Sequence, residues 1–256
     1  MRRATPFSPR GPSDEAGSAN ATLMTSAELA VEDHRPADAV AAIETLRSGG
    51  PRHIHALRIA LRAHEQAESW DALLQVLRQL EKRDALHPAA IRGLKIRAYR
   101  ALFAACGDDL LSVQQLYASL SLADRAIDEI AEAAAHAFAA AGRPEQAARI
   151  VEQALDERMA EPLLALYGAL DGVGARERLR HAERWRVRYG DSPVLLMTLG
   201  RLCAAEGLWG KAEEFLVLAE RAAPGRQSHL LLAQLYERLG RAEDAQAQYR
   251  LAALAP

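Results

Sequence analysis

The fold is decided by the stretch Gly207-Leu208-Trp209-Gly210-Lys211-Ala212, because a stretch with the same spacing follows it. The second copy, Gly240-Arg241-Ala242-Glu243-Asp244-Ala245, begins 33 residues later. Both copies continue with a large residue and another alanine, which are Leu216 and Ala219 in the first and Tyr249 and Ala252 in the second. A fixed period in this range is typical of repeat proteins. The spacing therefore predicts an array of stacked helical hairpins.

The first copy resembles the tetratricopeptide (TPR) pattern almost position by position, because Leu196, Leu199, Gly200 and Cys203 precede it and Pro224 follows. The glycine allows a tight turn between two helices, and the small alanine lets the second helix pack against the first. We expect an all-α, TPR-like α-solenoid of about seven helical hairpins. The residues predicted to pack the repeats are Trp70, Gly142, Ala147, Gly207, Trp209, Ala212, Gly240 and Ala245.

The chain is predicted to begin with a disordered tail over residues 1–20, where proline and glycine recur. Residues 21–256 form the predicted repeat domain. In that domain Gly168, Gly172 and Gly174 are expected to weaken one hairpin, near residues 161–190. The predicted helical pairs lie near 21–50, 53–86, 88–121, 124–159, 161–190, 193–224 and 226–256.

Composition and motifs exclude several classes of function. The formal net charge of −2 argues against nucleic-acid binding. No apolar run is long enough to span a bilayer, and no signal peptide is visible. The sequence contains no phosphate-binding glycine loop, no zinc-protease motif and no nucleophile elbow. We therefore expect a binding protein rather than an enzyme.

Few side chains suggest a cofactor or a metal. His53 and His55 are the only close histidine pair, and their spacing places the rings on different faces of a helix. Cys106 and Cys203 are expected to be buried or half-buried thiols and too far apart to form a disulfide. No metal site is predicted, and haem is the only cofactor considered.

The three tryptophans receive different predictions. Trp70 and Trp209 begin the second helix of their repeats, where we expect them to pack in the core. Trp185 stands among arginines, which favours a half-exposed position as a wedge between helices, with partner contact as an alternative.

A protein partner is expected to bind polar side chains on the first helix of each pair, which lines the groove of a TPR array. The alternative for each such side chain is simple solvation. The only asparagine is Asn20, so the asparagine-dependent clamp by which some TPR modules hold a carboxylate is not expected. The candidate partner-binding residues are Arg58, Arg62, Arg97, Arg201 and Glu237.

The order of several segments between residues 22 and 256 resembles the C-terminal TPR region of HemY proteins of proteobacteria. Gly200-Arg201-Leu202-Cys203 and Leu208-Trp209-Gly210-Lys211-Ala212 are the most specific of these segments. The others are Ser69-Trp70-Asp71-Ala72-Leu73-Leu74, Glu161-Pro162-Leu163-Leu164-Ala165-Leu166-Tyr167, His181-Ala182-Glu183-Arg184-Trp185 and Asp191-Ser192-Pro193-Val194-Leu195-Leu196.

The resemblance implies a non-catalytic scaffold that organises enzymes of the late steps of haem biosynthesis. It also implies an inner-membrane location through two N-terminal spans. The sequence from Met1 lacks such spans, so we expect membrane association only through an upstream anchor and otherwise a soluble, cytoplasmic chain. A generic TPR adaptor and a carrier of haem or porphyrin with His or Cys ligands are the alternatives. The family offers no catalytic residue to transfer.

Overall fold

The computed structural model describes residues 12–48 and 54–255. This part of the chain folds into 15 helices and contains no strand. The predicted all-α class, built largely from helical hairpins, is confirmed. The chain divides into two compact units, Met1–Ala101 and Leu102–Pro256.

The first unit contains two helical hairpins and most of a fifth helix. In each hairpin the two helices pack against each other, and the second and third helices join the hairpins. The helices are α1 (Pro12–Glu32), α2 (Pro36–Ser48), α3 (Ile54–Gln66), α4 (Trp70–Glu81) and α5 (Pro88–Cys106), the last of which continues into the second unit.

The second unit contains four successive helix pairs, three of which are closely packed hairpins, preceded by one further helix and a single helical turn. Its helices are α6 (Leu110–Ser119), α7 (Leu122–Arg125), α8 (Asp128–Ala140), α9 (Pro144–Glu157), α10 (Glu161–Ala169), α11 (Ala175–Tyr189), α12 (Pro193–Ala205), α13 (Trp209–Ala222), α14 (Arg226–Arg238) and α15 (Ala242–Leu254). The first helices of successive hairpins contact one another, α8 with α10, α10 with α12, and α12 with α14.

The turns inside three hairpins have the same geometry. Gly142, Gly207 and Gly240 follow the first helix with φ between +71° and +72°, which is the left-handed region. The residue after each glycine donates its backbone N–H to the carbonyl five residues earlier, as Leu208 does to Cys203 at 2.8 Å. This is the Schellman ending, in which a left-handed residue lets the last carbonyls of a helix find donors.

Two hairpins of the first unit make this turn without glycine. His34 has φ +54° and Glu68 has φ +51°, at positions equivalent to Gly207. The same hydrogen bonds form, since Arg35 donates to the Ala30 carbonyl at 2.7 Å and Ser69 to the His64 carbonyl at 2.9 Å. A side chain in this conformation costs about 1–2 kcal/mol relative to glycine, so packing on both sides holds these turns in place.

Small residues lie where the helices of a hairpin meet. Ala147, Ala212 and Ala245 are all buried. Gly200 is also helical, and a Cβ there would come within 2.6 Å of Leu216 on α13. Helices separated by such small residues approach closely, which is the packing that the alanine spacing predicts.

The N-terminal segment differs from the prediction of a disordered tail through residue 20. Residues 1–11 lie outside the described residues, but α1 already begins at Pro12. Proline is well suited to the first turn of a helix, and the alanines that follow favour helix strongly. Farther along α1, Ala27, Ala30 and Val31 are buried. We infer that this packing stabilises the helix and that helix propagation extends it toward the N-terminus.

Two tryptophan predictions were wrong. Trp209 is 39% exposed rather than part of the core, because it stands at the first position of α13, where the chain has just left the turn. Trp70 is half-buried at the equivalent start of α4. Trp185, expected to be half-exposed, is only 2% exposed.

The weakly patterned hairpin of α10 and α11 is held together by an aromatic cluster. The Trp185 and Tyr167 rings meet edge to face at 5.0 Å between centroids. Trp185 Nε1 donates to Asp156 Oδ1 at 2.8 Å, and Tyr167 Oη donates to Glu152 Oε1 at 2.5 Å. Burial and the Glu152 carboxylate both raise the pKa of Tyr167, so this hydroxyl is a hydrogen-bond donor at neutral pH.

Candidate functional site

The second unit contains a cleft of about 310 Å³ whose lining comes largely from α10, α12 and α14. These are the first helices of three successive hairpins, which the TPR pattern predicts to line a binding surface. The lining residues are Gly168, Ala169, Leu170, Asp171, Arg178, Arg201, Leu202, Ala204, Ala205, Leu216, Leu231, Gln234, Leu235 and Arg238, and we call this site the α10–α14 cleft.

The cleft is open because the residues of α10 and α12 that border it are small. Gly168 lies so close to α12 that a Cβ there would be 3.2 Å from the Thr198 Cα. Thr198 donates its hydroxyl to the Leu164 carbonyl at 2.8 Å, which ties the same two helices together. Ala204 and Ala205 then leave space in front of α12. Larger side chains at these positions would fill the volume that a ligand needs.

Arg178 reaches from α11 to the end of α10. Its Nη1 donates to the Tyr167 carbonyl at 2.6 Å, and its Nη2 donates to the Val173 carbonyl at 3.2 Å. The side chain is almost completely buried, and burial lowers the pKa of Arg178. The Tyr167 carbonyl belongs to the last turn of α10, where the helix dipole carries partial negative charge. Arg178 therefore caps α10 as well as bordering the cleft.

Arg201 and Arg238 are the two other cations of the cleft. Arg201 is half-buried, and burial lowers its pKa, an effect that the nearby Asp171 carboxylate opposes. Arg238 is exposed in the last turn of α14. Within residues 12–48 and 54–255, neither guanidinium forms a hydrogen bond or an ion pair with another side chain or carbonyl. Both are free to bind a ligand.

The structure separates the two candidate partner-binding residues of this unit. Arg201 lines the α10–α14 cleft. Glu237 does not, because its Oε2 accepts a hydrogen bond of 2.8 Å from Tyr249 Oη on α15. Glu237 therefore stabilises its own hairpin, and its neighbour Arg238 faces the cleft instead.

The three candidates of the first unit differ in their contacts. Arg58 donates to the Ala85 carbonyl at 2.6 Å, and Arg97 forms an ion pair with Glu65 of α3. Both side chains thus connect neighbouring parts of the unit. Arg62 is exposed on α3.

Sequence reasoning missed Arg178, Gln234, Arg238 and Asp171. Two of them carry a signal, namely the repeat period itself. Gln234 stands one period after Arg201, and Arg238 stands one period after Ala205. Equivalent positions of successive repeats lie on the same face, so extending the period from Arg201 along the chain would have found both residues.

A second cleft of the same unit, of about 440 Å³, lies beside α7 and α9. Both of its arginines are already engaged by neighbouring groups. Arg158 pairs with Asp128 at 2.8 Å, and the Arg125 guanidinium lies over the Tyr117 ring at 4.5 Å from its centroid. This cleft therefore offers no unpaired guanidinium of the kind found in the α10–α14 cleft, and its exposed Glu157 adds negative charge.

The structure gives the surroundings of several histidines and thiols that were considered as haem or metal ligands. No group of three or more His, Cys, Asp or Glu side chains suited to a metal ion occurs in the described part of the chain. Cys203 is fully buried, and burial raises its pKa to about 11. His55 lies 2.6 Å from a Glu28 carboxylate oxygen, while His53 falls outside the described residues. The lining of the α10–α14 cleft includes no histidine, cysteine, methionine or tyrosine.

Among the helices that the structure describes, none combines the length and apolar character needed to cross a membrane.

Comparison with known proteins gives two structural similarities. No family model matches the chain, and no curated protein matches it. The chain is similar to a solved structure described as "MamA MSR-1 C2", with 13% identity over 78% of this chain and 94% of that one and a TM-score of 0.37. It is also similar to PilW, described as a widely conserved type IV pilus biogenesis factor, with 14% identity over 90% of each chain and a TM-score of 0.35.

Proposed function

We propose that the chain is a non-catalytic adaptor that binds a segment of a partner protein in the α10–α14 cleft. The observation that carries the proposal is a cleft bordered by small residues and by two unpaired guanidinium groups, Arg201 and Arg238. Recognition surfaces commonly combine an apolar floor with a few well-placed polar groups. The first helices of successive TPR-like hairpins supply both here.

For the identity of the partner, we propose enzymes of the late steps of haem biosynthesis. This part of the proposal is supported by the resemblance of residues 22–256 to the TPR region of HemY proteins, and a generic adaptor is its alternative. The carrier alternative has less support. Haem proteins usually hold the iron with histidine, cysteine, methionine or tyrosine, and none of these lines the cleft.

Photo-crosslinking tests the adaptor proposal directly. A benzophenone amino acid in place of Gln234, which is exposed in the cleft, should crosslink a defined partner in a lysate of haem-producing proteobacteria. The same group in place of Arg221, exposed in the last turn of α13, is the control. Ferrochelatase or a protoporphyrinogen-oxidising enzyme crosslinked only through position 234 would support both parts. Unrelated partners would contradict the haem-pathway part, and equal labelling from both positions would contradict the cleft as the binding site.

A further inference from the structure

The α10–α14 cleft carries a local excess of positive charge in a chain whose formal net charge is negative. Three arginines and one carboxylate border it, Arg178, Arg201, Arg238 and Asp171, which leaves an excess of two positive charges. The whole chain has a formal net charge of −2. A local excess of one sign inside a concave surface attracts ligands of the opposite sign.

The three arginines are not equivalent. The Arg178 guanidinium already donates to the Tyr167 and Val173 carbonyls and its Nε is buried, so it is less accessible to a ligand than the other two. Arg201 and Arg238 have no such partners among the described residues. Other arginines of the same unit do pair with carboxylates, namely Arg158 with Asp128, Arg186 with Asp191, and Arg241 with Glu213 and Asp244.

Of the two unpaired arginines, Arg201 says more about the ligand than Arg238 does, because Arg201 is half-buried. A guanidinium that has lost part of its hydration gains more from a carboxylate than a fully solvated one does, because the attraction is less screened. The one carboxylate of the cleft lining, Asp171, acts on the Arg201 charge without forming an ion pair with it. An arriving carboxylate can therefore bind Arg201 through two parallel N–H···O bonds.

Apolar side chains border the same cleft. Leu202, Leu231 and Leu235 are buried side chains that contribute to its walls. A ligand that carried only negative charge would leave this apolar surface without a contact. The chemistry of the cleft thus matches a chain that alternates acidic and apolar side chains.

We propose that the occupant of the α10–α14 cleft is an acidic segment of a partner protein. Its glutamate or aspartate side chains pair with Arg201 and Arg238, and its apolar side chains contact Leu202, Leu231 and Leu235. This inference rests on the proposed adaptor function and specifies the chemistry of the partner. It uses single arginines from two successive repeats and needs no asparagine.

Peptide binding to the full-length chain tests this chemistry. The probe is a fluorescein-labelled, C-terminally amidated peptide that alternates glutamate and leucine, and its control replaces every glutamate with glutamine. We expect the acidic peptide to bind about tenfold more tightly or better, since charge-assisted bonds are roughly twice as strong as neutral ones. Raising the salt concentration should weaken the binding of the acidic peptide and leave that of the glutamine peptide unchanged. Equal binding of the two peptides, or no binding of either, would overturn the acidic-ligand proposal.

Variants of the two unpaired arginines test where the acidic peptide binds. Arg201→Gln combined with Arg238→Gln should reduce the affinity for the acidic peptide to that of the glutamine peptide. Arg221→Gln is the matched control, because Arg221 and Arg238 are both exposed in the last turn of a helix. Asp171→Asn should tighten binding by removing the negative charge of the cleft. Unchanged affinity in the double variant, with an unchanged circular dichroism spectrum, would overturn the proposal.

Two further experiments distinguish an acidic peptide from a porphyrin ligand and separate this proposal from the adaptor proposal. Protoporphyrin IX carries carboxylates too, and displacement of the peptide by protoporphyrin IX at lower concentration than by unlabelled peptide would overturn a peptide occupant. Crosslinking through Gln234 to a partner segment that lacks acidic residues would overturn the acidic chemistry while preserving the adaptor function. Absence of any crosslink through Gln234 would instead contradict the adaptor function itself.

Discussion

Gly200 on α12 lies against Leu216 on α13 with no room for a side chain, since a Cβ at position 200 would come within 2.6 Å of both Leu216 Cγ and Cδ2. Real Cβ contacts of this length essentially do not occur, so the two helices are as close as a glycine permits. Helix α12 also carries Arg201, Ala204 and Ala205, and Leu216 itself borders the cleft. The helix packing of this hairpin and the shape of its candidate site therefore depend on the same small residue.

Gly200→Ala should destabilise the protein. The added methyl group must displace Leu216, and overpacking of this kind costs about 1–3 kcal/mol. Urea unfolding followed by circular dichroism measures the change. Gly210→Ala is the matched control, because Gly210 is helical and has open space around it. That control should raise the unfolding free energy by about 0.5–1 kcal/mol, and a similar loss in both variants would contradict the close contact.

Ala212→Leu should destabilise the same hairpin by a different contact. Ala212 has no exposed surface at the start of α13, so a longer side chain must push the helices apart at a cost of about 1–3 kcal/mol. Ala222→Leu is the control, since Ala222 is exposed in the last turn of the same helix. An unchanged urea midpoint for Ala212→Leu would mean that the proposed repeat register is wrong.

Substitutions at two equivalent hairpin turns should change the unfolding free energy in opposite directions. Gly207→Ala should lower the unfolding free energy by about 1 kcal/mol, because an L-residue in the left-handed region is strained. Glu68 already pays this strain at the equivalent turn of the first unit, with φ +51° and an exposed side chain. Glu68→Gly should therefore raise the unfolding free energy, by about 0.5 kcal/mol after the greater freedom of glycine in the unfolded chain is subtracted. Denaturant titration of the two variants checks the opposite signs.

The sequence was sufficient to predict the helices and their turns because both depend on local features. Glycine after a helix and alanine five residues later recur at a fixed period, and each acts within its own hairpin. The turn at Glu68 shows the limit of this reasoning. A glutamate gives no local sign of a left-handed turn, and only its position in the repeat indicates one.

Burial and the candidate site were harder to predict because both depend on which helix face a residue occupies. Arg184 and Arg186 flank Trp185 in sequence, yet residues one position apart point in different directions on a helix. The arginines are exposed or half-buried, Val187 is exposed, and Trp185 faces the core. The cleft posed the same problem, because Glu237 and Arg238 are adjacent in sequence but contact different surroundings.

The two thiols should react at different rates. Cys203 is fully buried with a pKa raised to about 11 by burial, whereas Cys106 is half-buried. Because the thiolate is the reactive form, Ellman's reagent at pH 8 should modify Cys106 first and Cys203 only after unfolding. Rapid modification of both thiols in the folded chain would contradict the burial of Cys203.

The raised pKa of Cys203 also predicts a dependence of stability on pH. The buried thiol is protonated in the folded chain, so its contribution to stability is fully present below pH 9. It is lost as the pH rises from 9 to about 11, because the unfolded chain releases the proton more easily. Cys203→Ala should make the unfolding free energy less sensitive to pH in this range, and an identical slope in the variant would contradict the assignment.

Trp185→Phe should destabilise the weakly patterned hairpin of α10 and α11 and report on its unfolding. The change removes both the hydrogen bond from Nε1 to Asp156 and part of the edge-to-face contact with Tyr167. Asp156 is exposed, so water can replace the lost donor, and the expected cost is about 1–3 kcal/mol, mainly from the smaller ring in a close-packed site. Trp70→Phe is the control, because Trp70 is only half-buried. The wild-type emission spectrum should contain a blue-shifted component that Trp185→Phe removes and Trp70→Phe does not. Equal stability of the two variants, or an unchanged blue edge in Trp185→Phe, would show that this aromatic cluster does not hold the hairpin together.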